Sequence, residues 1–259
     1  VGNTTNGLFI RIATPAGNAQ NHLTVSARFD DTSVVHVISE NLIVEGTPGG
    51  PLFNELTGHL DARTDARLAI DPGTILKLEG ARIETTFGGQ FLAEGREGHE
   101  VIITSLLDDR YGAGGTFDTN SNGLTNVAAP GDWGGLYMGH ASTGSIDPAS
   151  ITYAGGETAI EGDFTNFNAL EIHQAGVRLT NSLFQYNADG RGGTAPQDRF
   201  GRGVNDAGTI FVRGAKPLIL INSLRDNDGT AMRIHAAAVN HSFVTDYGRE
   251  TGYTDRTVE

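Results

Sequence analysis

The residues best suited to chemistry form one short run, Asp118-Thr119-Asn120-Ser121-Asn122-Gly123. Oxygen-bearing side chains alternate at Asp118, Asn120 and Asn122, and a glycine follows. This is the opening of a calcium loop, in which alternate oxygens converge on one cation and the glycine permits the sharp turn. The next backbone ligand would be the carbonyl of Leu124. The helix-flanked form of the motif places Glu at its twelfth position, where this chain has Ala129. The remaining carboxylate must then come from elsewhere, with Asp132 the first choice and Asp108 or Asp109 the others. The expected ligand set is therefore Asp118, Asn120, Asn122, Leu124 and Asp132 around a structural Ca2+. The competing reading is a polar loop whose Asp and Asn side chains cap turns.

Other candidates carry less. Asp108-Asp109-Arg110 invites a paired-carboxylate reading, but an ion-paired or turn-capping acidic loop explains it as well. Asp226-Asn227-Asp228, with Lys216 and Arg225 nearby in sequence, has the composition of a polysaccharide-cleaving cluster without a Gly-His-Gly string beside it. Arg191, Arg199 and Arg202 with Phe200 make a basic island suited to an acidic glycan or a neighbouring subunit. Trp133 and Tyr137 are either a sugar-stacking platform or core. The histidines are scattered, His235 and His241 included, and no Gly-x-Ser-x-Gly elbow occurs. No catalytic residue is assigned.

The elements that would position these residues are short strands. From about Leu68 an imperfect repeat appears, marked by Ser105, Ser150, Ser182, Ser223 and Ser242 at intervals of 45, 32, 41 and 19 residues. Each marker is paired with an alternating segment, such as Ala169–His173, Thr209–Arg213 or Ala231–His235. Two strands per unit with irregular spacing suit a solenoid whose loops swell between stacked strands. Insertions are expected near 107–131 and 189–206. Leu183, Leu224 and Phe243 are expected at equivalent core positions, as are Ile172, Val212 and Ile234. Asn181 and Asn222 suggest an asparagine ladder. Residues 1–60 differ, with alternating segments separated by polar turns, and read as a separate β-meander or small antiparallel sheet. The turn-rich Glu45–Pro51 stretch is the boundary. A β-sandwich of hairpins is the rival architecture, but it leaves the repeat unexplained.

Composition agrees. Thirty-six glycines, two methionines and no cysteine in 259 residues fit an all-β chain without disulfides. A net charge of −13 disfavours binding to phosphate backbones, so nucleic acid is not expected as a partner. No apolar run approaches the roughly 20 residues that span a bilayer. The chain begins at Val1, which suggests a processed form or a piece of something longer.

Several strings resemble β-helical segments of very large secreted or surface proteins of planctomycetes and cyanobacteria. They are Ala27–Val37, Val101–Asp109, Gly112-Ala113-Gly114, Asp118–Gly123 and Ala129–Trp133. The resemblance implies an extracellular or surface location within a long multi-unit chain, and no catalytic residues. The expectation is thus a right-handed parallel β-helix over 61–259 preceded by a small β-module over 1–60. Its expected role is non-enzymatic, a structural or adhesive element that self-associates or continues a longer chain. A carbohydrate-active β-helix enzyme or a glycan-binding module is the alternative, with polysaccharide as the partner.

Overall fold

The computed structural model describes residues 3–12, 16–18, 21–23, 25–46, 52–61, 66–190, 205–234, 243–245 and 253–255. Among them there is no helix, and hence none long and apolar enough to cross a membrane. The chain makes seven passes, each contributing one strand to each of three sheets until the last. The first pass holds β1 (Leu8–Ile10), β2 (His22–Leu23) and β3 (Ala27–Phe29). The second holds β4 (His36–Ile38), β5 (Leu42–Glu45), a hairpin of β6 (Leu52–Asn54) and β7 (His59–Asp61), and β8 (Arg67–Ile70). The third is β9 (Ile75–Leu78), β10 (Arg82–Thr86) and β11 (Gln90–Ala93), and the fourth β12 (Val101–Ser105), β13 (Gly135–Met138) and β14 (Thr143–Ile146).

The fifth pass holds β15 (Ala149–Thr152), a hairpin of β16 (Glu157–Ala159) and β17 (Phe164–Asn166), β18 (Leu170–His173) and β19 (Gly176–Thr180). The sixth is β20 (Leu183–Gln185), β21 (Ile210–Arg213) and β22 (Leu218–Leu220). The seventh begins with β23 (Ser223–Arg225) and β24 (Met232–Ile234); β25 (Phe243–Thr245) and β26 (Tyr253–Asp255) follow as an antiparallel pair.

Sheet A runs β1-β4-β9-β12-β15-β20-β23, sheet B runs β2-β5-β10-β13-β18-β21-β24, and sheet C runs β3-β8-β11-β14-β19-β22. Every pairing within these sheets is parallel. The order is compatible with a parallel β-solenoid. It corrects the antiparallel reading of residues 1–60, whose strands β1 to β5 pair in parallel with the strands that follow. Alternation of apolar and polar residues reports a half-buried strand but not the direction of its neighbour. The repeat also has three strands per pass rather than two. The segment before the Ser marker belongs to sheet A at Val101–Ile103 and to sheet C at Val177–Leu179.

Register sets the core. In sheet B the inward column Leu42, Ile83, Leu136, Leu170, Ile210, Met232 climbs six passes, and Met138, Ile172, Val212, Ile234 climb four. Ile172, Val212 and Ile234 are therefore equivalent, as expected, although Ile234 in the last pass is 54% exposed. In sheet A the column is Leu76, Ile103, Ile151, Phe184, Leu224. The expected match of Leu183 with Leu224 was one residue out: Leu183 pairs with Ser223 on the outer face. Such a slip exchanges the two faces of a strand. The side chain of Phe243 lies outside the described residues. Each fully buried aliphatic side chain in these columns contributes about 1.5–3 kcal/mol. Gly144 interrupts the inward column between Phe91 and Val177, because a Cβ there would sit 3.2 Å from the Met138 sulfur.

Corners between sheets are made by left-handed residues at recurring positions. Tyr153, Tyr186 and Asp226 follow sheet A; Phe87, Ala141, Gln174 and Gly214 follow sheet B; Asn181 and Ile221 follow sheet C. The asparagine ladder exists, but not between Asn181 and Asn222. Asn187 accepts from the Ala154 N–H at 2.8 Å and donates to the Ile151 carbonyl at 3.1 Å. Asn227 repeats this one pass later, accepting from the Asn187 N–H and donating to the Phe184 carbonyl.

Candidate functional site

The expected insertion is the segment between β12 and β13, and it covers part of the outer face of sheet A. The outward column beneath it reads Lys77, Thr104, Thr152, Gln185. All four are buried, which an outer face shows only when something lies over it. Thr104 donates to Asp108 at 2.5 Å and shares a hydrogen with Thr152 at 2.7 Å. Asp108, fully buried, takes the Arg110 guanidinium through both oxygens at 2.8 Å. That guanidinium stands 5.0 and 5.4 Å from the rings of Tyr153 and Tyr186, which stack on each other. Burial pushes the Asp108 carboxyl upward, but the hydrogen bonds from Arg110 and Thr104 prevail and hold it below the usual carboxylate range. The Asp108-Arg110 string is thus an ion-paired loop.

Deeper in the same place lies Lys77, one of only two lysines in the chain. Its ammonium donates to the Phe117 carbonyl at 3.3 Å and is fully enclosed. Burial lowers its proton affinity, against the pull of Asp108, Asp109 and Asp118. Asp109 shows the reverse: burial raises its carboxyl, offset by Lys77, and neither of its oxygens has a hydrogen-bond partner. Values pushed toward each other are what a proton-transferring pair requires, yet both groups are closed off by the insertion. A lysine on a strand gave no sequence signal for this role, because its burial depends on a loop some thirty residues away.

The expected calcium ligands have the following surroundings. Asp118 accepts the N–H groups of Asn122 and Gly123, each at 3.0 Å, as a turn-capping carboxylate does. Asp132 accepts from the Ser105 hydroxyl at 2.6 Å and from the Ala129 N–H at 3.0 Å. Asn122 and Leu124 are exposed, whereas the Asn120 carbonyl oxygen is buried without a hydrogen-bond partner. The loop is tied to the start of the chain: Asn6 donates to the Asp118 carbonyl and Ser121 to the Asn3 carbonyl. No group of three or more His, Asp or Glu side chains suited to a metal occurs among the described residues.

The aromatic platform is absent: Trp133 and Tyr137 are both buried, and the indole donates to the Thr152 carbonyl at 2.8 Å. Asp226 is a corner residue that accepts from Gln185 at 2.8 Å, and Asn227 belongs to the ladder. The basic island, most of the 189–206 insertion, His235 and His241 lie outside the described residues.

Three further polar groupings escaped sequence reading. On sheet B the hairpin β16–β17 is clamped by Arg82, which pairs with Glu84 at 2.7 Å with both side chains fully buried. Arg82 also donates to Thr158 and to the Ala159 carbonyl. Opposite charges two residues apart in a strand, and so on one face, were the available signal. Glu171 and His173 form a second enclosed pair at 2.8 Å, with the imidazole stacked on Tyr137. On sheet C, Arg178 bridges Glu94 at 2.8 Å and Asp147 at 2.5 Å. An exposed Glu94 and a partly buried Asp147 beside a basic group are the elements that a glycan-cleaving site would need. Glu94 is held below its ordinary value, chiefly by the Ser145 hydroxyl; Asp147 is also held low, its hydrogen bonds from Asn181, Thr180 and Arg178 outweighing burial. A general acid needs the opposite shift, so the arrangement suits a structural ion-pair network.

No family model matches the chain, and neither does any curated protein or solved structure.

Proposed function

We propose that the chain is a right-handed parallel β-helix acting as a non-enzymatic structural or adhesive element of a secreted or cell-surface bacterial assembly. One observation carries the reading. Among the described residues the three sheets start together on β1, β2 and β3, and sheets A and B run to β23 and β24, one pass beyond the last sheet C strand, β22. Because every strand pair within these sheets is parallel, the two ends are complementary in direction, and a second stack laid end to end would extend sheets A and B directly. Open edges of this kind pair with further strands unless covered, and a head-to-tail contact repeats into an open filament unless its rotation closes. The occupant is a continuation of a longer chain or an identical neighbour.

Light scattering across a concentration range is the test. Mass that rises with concentration, with filaments by electron microscopy, supports the proposal. A single monomeric mass at every concentration overturns self-association. The calcium loop at Asp118, Asn120, Asn122, Leu124 and Asp132 belongs to the same reading, as a structural clamp on the insertion. It is supported by the buried, unpartnered oxygens of Asn120 and of nearby Asp109. Calcium should raise the melting temperature and chelator lower it; identical melting curves would remove the claim.

A further inference from the structure

The outer face of sheet A carries a second column, Ile102, Ser150, Leu183, Ser223, in continuous register over four passes. It floors an open groove of about 350 Å³. Tyr111 from the insertion and Ile221 from a corner also line it, with Glu100 and Asn181. Neither Lys77 nor Asp109 does.

Ser150 is the unusual residue. Its side chain is buried, and its hydroxyl has no hydrogen-bond partner. The register explains why, since its neighbours above and below are Ile102 and Leu183, which offer no polar atom. Buried hydroxyls are normally satisfied, and this one lines the groove, so its partner has to arrive there.

The remaining walls narrow the choice of ligand. Among the described lining residues there is no cation, and Glu100 supplies a carboxylate. An anion would be repelled. One Glu100 oxygen accepts the Gly98 N–H at 3.1 Å, and the other is unassigned by any hydrogen bond. The Asn181 amide nitrogen and the Ser182 hydroxyl are already committed, to Asp147 and to the Thr180 carbonyl. The polar offer is therefore the Ser150 and Ser223 hydroxyls with one carboxylate acceptor, set among the apolar surfaces of Leu183, Ile221 and the Tyr111 ring. Uncharged hydroxyls combined with apolar C–H faces are the chemistry of a sugar ring. Strands lie about 4.8 Å apart along the stack, close to the length of one pyranose unit.

We propose that this groove binds a neutral saccharide chain lying along the stack, with one hydroxyl on Ser150 and a ring against Tyr111. The site is independent of assembly, since a chain that stays monomeric would still present it.

The experiment is isothermal titration of the full chain with cellohexaose, xylohexaose and mannohexaose, with hexagalacturonate as the anionic probe. At least one neutral hexasaccharide should give saturable binding, and the anionic one should give none. Tyr111→Ala should weaken binding about tenfold and Ser150→Ala about fivefold, corresponding to the loss of an aromatic contact and of one hydrogen bond. Ser150→Ala removes a single oxygen from an outward position, so its melting curve should match the parent, which keeps the test valid even if Tyr111→Ala unfolds. No binding of any neutral probe, preference for the anionic one, or unchanged affinity in Ser150→Ala would each overturn the proposal.

Discussion

Asp108 shows how one side chain ties an insertion to a sheet. Its carboxylate meets a hydroxyl from the sheet, Thr104, and a guanidinium from the loop, Arg110, within a fully buried position. Removing one member of such a pair leaves the other uncompensated, at about 3 kcal/mol when fully buried and less where the partner can rehydrate. Arg110 is partly exposed, so Asp108→Asn should cost about 2 kcal/mol at neutral pH in urea titration. Its folded carboxyl sits below the ordinary value, so its contribution is present above about pH 4 and is lost as the pH falls through the folded value. Glu94 and Asp147 act in the same direction, and Asp109, raised by burial, acts in the opposite one. The parent should therefore lose stability in acid more steeply than Asp108→Asn. Parallel acid titration curves for the two would contradict this account. In the sequence, the Asp108-Arg110 pairing was legible as a local charge pattern. The Lys77 position was not, because its environment is created by residues distant in the chain.

The corner is the element on which the register depends. Many corners are turned by a left-handed residue, and the chain mostly uses polar or aromatic ones there. After sheet C, Asn181 occupies the corner at φ 51° and Ile221 the same corner one pass later at φ 56°. A β-branched residue is poorly suited to that region, whereas asparagine tolerates it. Ile221 is also 83% exposed, so little packing offsets the strain. Ile221→Asn should stabilise the chain by about 1 kcal/mol, raising the melting temperature by about 2–4 °C. A lower melting temperature would show that the isoleucine is held by contacts beyond its own pass. The strands themselves were largely legible, because β-branched alternation is a local signal. Register was not: Ser182 and Ser223 look equivalent as letters, yet Ser182 aligns with Asn222. A marker residue carries no information about which face it occupies.

At the scale of the whole molecule, the uneven spacing of the repeat has a single cause. The three sheets keep their register while extra chain is inserted between strands, between sheets A and B in the fourth, fifth and sixth passes and between B and C in the second. The class of fold was readable because all-β composition and variable spacing together disfavour helical repeats. The membership of β1 to β5 in the same sheets was not, since these short strands carry the same alternation a hairpin would. The covered outer faces were equally hidden, for no local pattern marks a strand as lying beneath its own loop.

The asparagines also fix an order of events. Asn187 holds the backbone of the pass before it, and Asn227 holds the backbone of Asn187's own pass. The fifth and sixth layers are thus latched by side chains that come later in the chain. In a polypeptide that emerges N-terminus first, from a ribosome or through a membrane, a layer is locked only when its successor arrives. At this end of the stack, growth is a ratchet with a sense of direction, each of these two layers being latched by the next.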